Sequence, residues 1–139
     1  MNTRILLTGG TGLLGSHLLL SLVREQKEVV AVKRPSSNLE EVRRVFGYHT
    51  AGTEEVDEVF GRIRWVDVDL MIQVEMMQAL EGVQDVFQCA GMVSFQPLDR
   101  RIMILFNSYS TASVVASCMA AVVKKLVHVS STCAIGRPC

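Results

Sequence analysis

Three glycines near the amino terminus carry the first chemical signal. Gly9, Gly12 and Gly15 stand inside Thr8-Gly9-Gly10-Thr11-Gly12-Leu13-Leu14-Gly15, after the apolar run Ile5-Leu6-Leu7 and before an apolar, helix-forming stretch. This order predicts a strand that turns sharply into a helix whose first N–H groups lack partners. Those donors, at the positive end of the helix, attract a pyrophosphate. Gly9 permits a tight turn, Gly12 removes a side chain so that backbone amides can approach the phosphates, and Gly15 lets the helix lie close to the sheet. Strand, glycine turn and helix in sequence predict a dinucleotide site.

The end of the second strand bears on which dinucleotide. A site for NAD(H) places Asp or Glu about 20 residues beyond the turn, to accept hydrogen bonds from the ribose. Here Lys33 and Arg34 stand, with no carboxylate until Glu40. A carboxylate would repel a 2′-phosphate, whereas these cations pair with it, and Ser36 and Ser37 add hydroxyl donors. The basic pair favours NADP(H) over NAD(H). A solvated basic pair at a strand end is the plainer alternative.

The elements that must position these residues alternate along the chain as strand and helix, the pattern of parallel βαβ units. Strands are predicted at 4–7, 29–32, 64–68, 85–89 and 125–130. Helices are predicted from Leu13 to Glu25, from a capping box Ser37-x-x-Glu40 with Leu39, Val42, Val45 and Phe46 on one face, from Met71 to Leu80, and from about Arg101 to Val123. The last is expected to be irregular near Asn107-Ser108, and His49 to Glu55 to break two helical pieces. Met71, Met76 and Met77 fit a packing face. His17 is expected as a partly buried packing residue, Trp65 as packing at the start of the third strand. The fold class is α/β, a doubly wound parallel sheet of the Rossmann type, truncated after the fifth strand, with residues 1–139 forming one incomplete domain.

Bulk properties agree with a globular chain and exclude several classes. Of 139 residues, 49% are hydrophobic and 20% charged, which opposes disorder. Formal net charge is zero, so no general attraction to nucleic acid or an anionic membrane is expected. Cys89, Cys118, Cys133 and Cys139 form no CxxC pair and the three histidines no cluster, so no metal site is expected. Reduced thiols point to a cytoplasmic protein. Arg4 with its following apolar residues imitates a signal peptide, but the glycines interrupt it and no cleavage site follows. The apolar run Ala112–Val123 stops at Lys124-Lys125, short of the roughly 20 residues a span requires.

Taken together, the motifs resemble the extended short-chain dehydrogenase/reductases, the NAD(P)-dependent epimerase/dehydratase group, and within it the dihydroflavonol-reductase-like branch. The resemblance covers the whole chain. Thr8 to Gly15 resembles the cofactor turn. Asp69-Leu70 resembles the pair that contacts adenine, and Cys89-Ala90-Gly91 the fourth-strand segment beside the nicotinamide-side ribose. Asn107-Ser108-Tyr109-Ser110-Thr111 resembles an Asn-x-x-Gly-Thr helix motif. Val127-His128-Val129-Ser130-Ser131 resembles the fifth strand, with Val129 and Ser130 near the cofactor and Ser131 the substrate-side hydroxyl. The resemblance thus implies Ser131 and Asn107 as catalytic residues. Each also has a plainer reading: Ser131 as a strand-end serine satisfying backbone groups, Asn107 as a helix-start or turn residue. Asp69 would equally cap the following helix.

The chain departs from the family at several positions. Gln88 stands where histidine is frequent, Cys89 where a small apolar residue is common, Ser110 where glycine is usual and Ser113 where asparagine is frequent. The family's proton-transfer pair, Tyr-x-x-x-Lys, is absent: Gly52 and Ser113 stand four residues after Tyr48 and Tyr109. The sequence therefore reads as the amino-terminal, cofactor-holding part of a longer NAD(P)-dependent reductase or epimerase. The family would act on a hydroxyl or carbonyl of a small-molecule substrate, such as a nucleotide-sugar or small ketone. The resemblance further implies self-association as a homodimer. The alternative is a non-catalytic NADP(H)-binding module, or an inert truncated paralogue.

Overall fold

The computed structural model describes residues 3–136; Cys139 lies outside the described residues. Five parallel strands form one sheet: β1 (Arg4–Thr8), β2 (Glu28–Lys33), β3 (Ile63–Asp67), β4 (Asp85–Gln88) and β5 (Lys125–His128), in the order β3-β2-β1-β4-β5. Side chains alternate across a strand, so successive apolar residues feed two cores. Ile5, Leu7, Val29, Ala31 and Ile63 face one core, and Leu6, Val30, Val32 and Val86 face the other. That two-sided burial explains why β1 and β2 are continuously apolar.

Helices α1 (Leu13–Arg24), α2 (Leu39–Gly47) and α3 (Thr53–Gly61) cover the first face, whereas α4 (Gln73–Ala79) and α5 (Arg100–Ala120) cover the second. The expected doubly wound sheet is present. The chain breaks between α2 and α3 at 48–52, overlapping the expected break at His49 to Glu55, of which Thr53 to Glu55 already belong to α3.

Several local expectations need correction. The α2 cap is Asn38, whose side-chain oxygen accepts from Glu40 N–H at 3.0 Å; Ser37 instead accepts from Arg34 N–H at 3.1 Å, closing the preceding turn. Asx geometry one residue closer to the helix displaces the predicted capping box. The helix predicted from Met71 begins at Gln73, because Asp69 turns the chain first. Met76 is buried, but Met71 and Met77 are exposed. His17 is exposed too, its Nδ1 lying 2.7 Å from the Leu13 carbonyl oxygen. Trp65 packs against Phe60, with ring centroids 5.6 Å apart, as expected for a packing residue.

The long helix is regular through Asn107-Ser108; the irregularity precedes it as a 3-10 turn at Pro97–Asp99. With that turn, Pro97–Ala120 is long and apolar enough to cross a membrane by length and composition, a property that reading the apolar run as Ala112–Val123 missed. In the fold it is a layer helix, turning Ser110, Val114, Ser117 and Cys118 into the second core.

Candidate dinucleotide site

The order β3-β2-β1-β4-β5 sends the connection after β1 to one face of the sheet and that after β4 to the other. Between those strand ends a crevice opens at the carboxyl edge, the general ligand position in doubly wound sheets. The glycine turn follows β1 at this crevice. Gly9 has φ +72°, and a Cβ there would lie 2.6 Å from the Ala90 nitrogen, so its backbone conformation and its approach to the residues after β4 both require glycine. A Cβ on Gly15 would fall 2.0 Å from the Gly9 carbonyl oxygen. Gly15 therefore lets the first turn of α1 close onto the glycine turn itself, a nearer contact than the expected one with the sheet. Gly12 is the exposed N-cap residue of α1, with no side-chain cap and no acidic residue in the first turn. Free N–H donors there fit a pyrophosphate.

Beneath the turn, Thr8 and Gln88 are buried and joined: the Thr8 hydroxyl donates to Gln88 Oε1, and Ala90 N–H donates to Thr8 Oγ1 at 3.2 Å. The Thr8 side chain thus braces β1 against β4 beneath the crevice instead of reaching a ligand. Gly10 is likewise buried, whereas Thr11, Leu13 and Leu14 are partly or fully exposed along the turn.

At the β2 end, the two cations differ. Lys33 is mostly buried, its Nζ paired with the Asp67 carboxylate, and Lys33 and Asp67 are register partners of β2 and β3. Arg34 is exposed, and among the described residues its guanidinium has no ion-pair partner. Ser36 is exposed beside it. Asp67 is the residue sequence reasoning missed. The position at the end of a predicted third strand was the available signal, because parallel strands of similar length bring their ends together.

After β3, Asp69 Oδ1 accepts from Met71 N–H at 2.9 Å, and Asp69 N–H donates to Glu75 Oε2 at 2.8 Å. Asp69 therefore orders the approach to α4, although Ile72 is its N-cap residue. Leu70 is buried in the second core. Past β4, Cys89 and Ala90 are half-buried and Gly91 exposed; burial pushes the Cys89 thiol up.

Asn107 lies well inside α5, not at its start. Its Nδ2 donates to the Met92 carbonyl at 2.9 Å, and its Oδ1 accepts from Met92 N–H at 2.7 Å. The side chain clamps the segment after Gly91, so it holds backbone at a position where the resemblance implied a catalytic residue. Ser131 is exposed after β5; its Oγ accepts from Cys133 N–H at 3.2 Å and caps the 3-10 turn Thr132–Ile135. This is the backbone-satisfying reading, with the hydroxyl proton still available to donate. Val129 and Ser130 are exposed beside it, and Val129 N–H donates to the Gln88 carbonyl at 3.0 Å.

Comparison with known proteins agrees with this geometry. The model of the NAD dependent epimerase/dehydratase family matches residues 5–139. A dihydroflavonol 4-reductase of Solanum lycopersicum is 28% identical over 131 residues, 93% of this chain and 32% of that protein. Among solved structures, Pen from Bacillus thuringiensis matches with a TM-score of 0.77 at 28% identity, covering 97% of this chain and 40% of the other. UDP-glucose 4-epimerase from Bifidobacterium longum, solved with NAD+ and UDP, has a TM-score of 0.75 at 22% identity over 98% and 39% of the two chains, a likeness of fold. The chain spans about a third of the length of the curated relatives it matches.

Proposed function

The chain belongs to the NAD dependent epimerase/dehydratase family, and from that premise we propose that it is the NADP(H)-holding part of a cytoplasmic reductase or epimerase. The observation that carries this reading is the closure of α1 onto the glycine turn, with Gly15 against the Gly9 carbonyl and uncapped N–H groups at the crevice. The α1 N-terminus would take the pyrophosphate, and exposed Arg34 with Ser36 would take a 2′-phosphate. Asp69 and the Cys89–Gly91 segment would line the adenine and nicotinamide ends. Bound, such a cofactor supplies hydride exchange with a carbon bearing a hydroxyl or carbonyl. Substrates of that class include nucleotide-sugars and small ketones, and Ser131 would offer its proton to the substrate oxygen. A homodimer is the proposed assembly, with no nucleic-acid or membrane partner.

A second reading, an NADP(H)-binding module without turnover, is favoured by the hydrogen bonding of Asn107 and Ser131. Both hold backbone groups, Asn107 those of Met92 and Ser131 the Cys133 N–H. Calorimetric titration of the chain with NADPH and NADH tests the common premise. NADPH is expected to bind about tenfold more tightly, a difference of about 1.4 kcal/mol. Equal or reversed affinities would remove the NADP(H) preference, and binding of neither would remove the site. Gly15→Val is expected to abolish binding of both. No steady NADPH consumption with carbonyl substrates is expected from this chain alone, and turnover above background would overturn the second reading.

A further inference from the structure

We propose that Asp67 tunes the choice between 2′-phosphorylated and unphosphorylated dinucleotides by cancelling the charge of Lys33, which leaves Arg34 as the discriminating cation. The inference rests on the dinucleotide site proposed above and concerns how that site chooses.

Strand register brings the two residues together. β2 and β3 are parallel with Lys33 opposite Asp67, and Val68 N–H donates to the Lys33 carbonyl at 3.0 Å just beyond that pair. Paired residues of parallel strands project on the same face, so the ammonium and carboxylate meet without reaching across the sheet. The Lys33 side chain is only 16% exposed, against 55% for Asp67. A cation so far out of water cannot turn to a ligand phosphate without giving up its carboxylate and leaving Asp67 unpaired. The pair therefore presents no net charge where the sequence shows a lysine. Arg34, the next residue, projects from a turn closed by two hydrogen bonds, Arg34 N–H to Ser37 Oγ at 3.1 Å and Ser37 N–H to the Arg34 carbonyl at 2.9 Å. Its guanidinium is exposed and bound to no carboxylate among the described residues. The β2 end, which lacks a carboxylate of its own, thus receives one from β3.

A charge cycle measured by calorimetry tests this on the full chain, with the ratio of NADPH to NADH affinity as the readout. Asp67→Asn releases Lys33 and is expected to raise the ratio about three- to tenfold. Lys33→Met leaves Asp67 unpaired near the phosphate and is expected to lower it by a similar factor. The double variant restores neutrality and is expected within about twofold of wild type. Arg34→Ala is expected to bring the ratio close to one. Thermal melting monitors folding, and Asp67→Ala replaces Asp67→Asn should the latter not fold. A ratio unmoved by neutralising Asp67 overturns the inference, as does a double variant no better than Lys33→Met, which would place Lys33 on the phosphate itself. Either result leaves the dinucleotide site standing. Failure of wild type to bind either dinucleotide removes both.

Discussion

The two faces of the sheet are packed by different means. Beneath α1, α2 and α3 the core is filled by shape: Phe46 and Phe60 meet edge to face at 6.1 Å, Phe60 lies on Trp65, and the Arg43 guanidinium sits 4.2 Å over the Phe60 ring. Beneath α5 the inward residues are small, and the Ser110 and Ser117 hydroxyls are buried without a hydrogen-bond partner. The outward face of α5 carries exposed Ile102, Leu105, Tyr109 and Met119, and most of β5 is exposed. Small inward residues let α5 approach closely but contribute little apolar area, and an unpaired buried hydroxyl costs free energy. The division follows the proposed chemistry. The glycine turn and Arg34 are anchored on the aromatic-rich face, whereas Asn107 belongs to the helix that turns small residues inward.

The largest expected effect breaks the comparison at its stronger side. Phe46 is fully buried and touches the aromatic cluster from α2. Phe46→Ala should destabilise the chain by about 3–5 kcal/mol, through lost transfer energy and a residual cavity. Val114→Ala, at a fully buried α5 position, removes less volume and should cost clearly less. Denaturant titration of both variants measures the contrast. Equal losses would mean that the α5 face loses as much from two methyl groups as the aromatic face from a ring, making it the better packed of the two.

A second effect lies on the seam joining the faces. Gln88 on β4 accepts from the buried Thr8 hydroxyl on β1, directly under the glycine turn. Gln88→Leu leaves that hydroxyl without its acceptor and should cost about 1–3 kcal/mol. It should also weaken NADPH binding, because Thr8 receives the Ala90 N–H that Gly9 packs against. Gln88→His, the side chain frequent at this position in the resembling family, should restore much of both when its imidazole is neutral. Denaturation and calorimetry on the two variants check this. Unchanged affinity in Gln88→Leu would separate the seam from the site.

What was legible in the sequence was local. The turn could be read because three glycines at fixed spacing between strand and helix have one economical structural explanation. The sheet could be read because a two-sided core makes its strands continuously apolar. What escaped depended on distance in space. Lys33 looked like a free cation because its partner, Asp67, lies 34 residues away and meets it only through strand register. Asn107 looked like a catalytic or turn residue because nothing in its neighbourhood announces Met92 as the group it holds. Thr8 looked like a cofactor contact, although its link to Gln88, across 80 residues, turns it inward. In each case a polar residue was singled out without its partner, since polar satisfaction is decided by tertiary neighbours.

The smallest effect sharpens the comparison at the helix ends. α1 and α5 close with the same pair of hydrogen bonds: Gln26 N–H to Val23 O with Lys27 N–H to Leu22 O, and Val122 N–H to Met119 O with Val123 N–H to Cys118 O. Each closure puts one residue in the left-handed region, Gln26 at φ 57° and Val122 at φ 55°. Glycine is the usual occupant. A β-branched residue there is more strained than an unbranched one, because its second γ-substituent narrows the χ1 choices beside the turned backbone. Val122 is 83% exposed, so its side chain has little packing to lose. Val122→Gly should therefore stabilise the chain by about 1 kcal/mol, relief of left-handed strain outweighing the added freedom of the unfolded glycine. Gln26→Gly should give a smaller gain. Thermal or denaturant unfolding of both variants measures the difference, and a larger gain at Gln26 would show that strain is not concentrated on the α5 side.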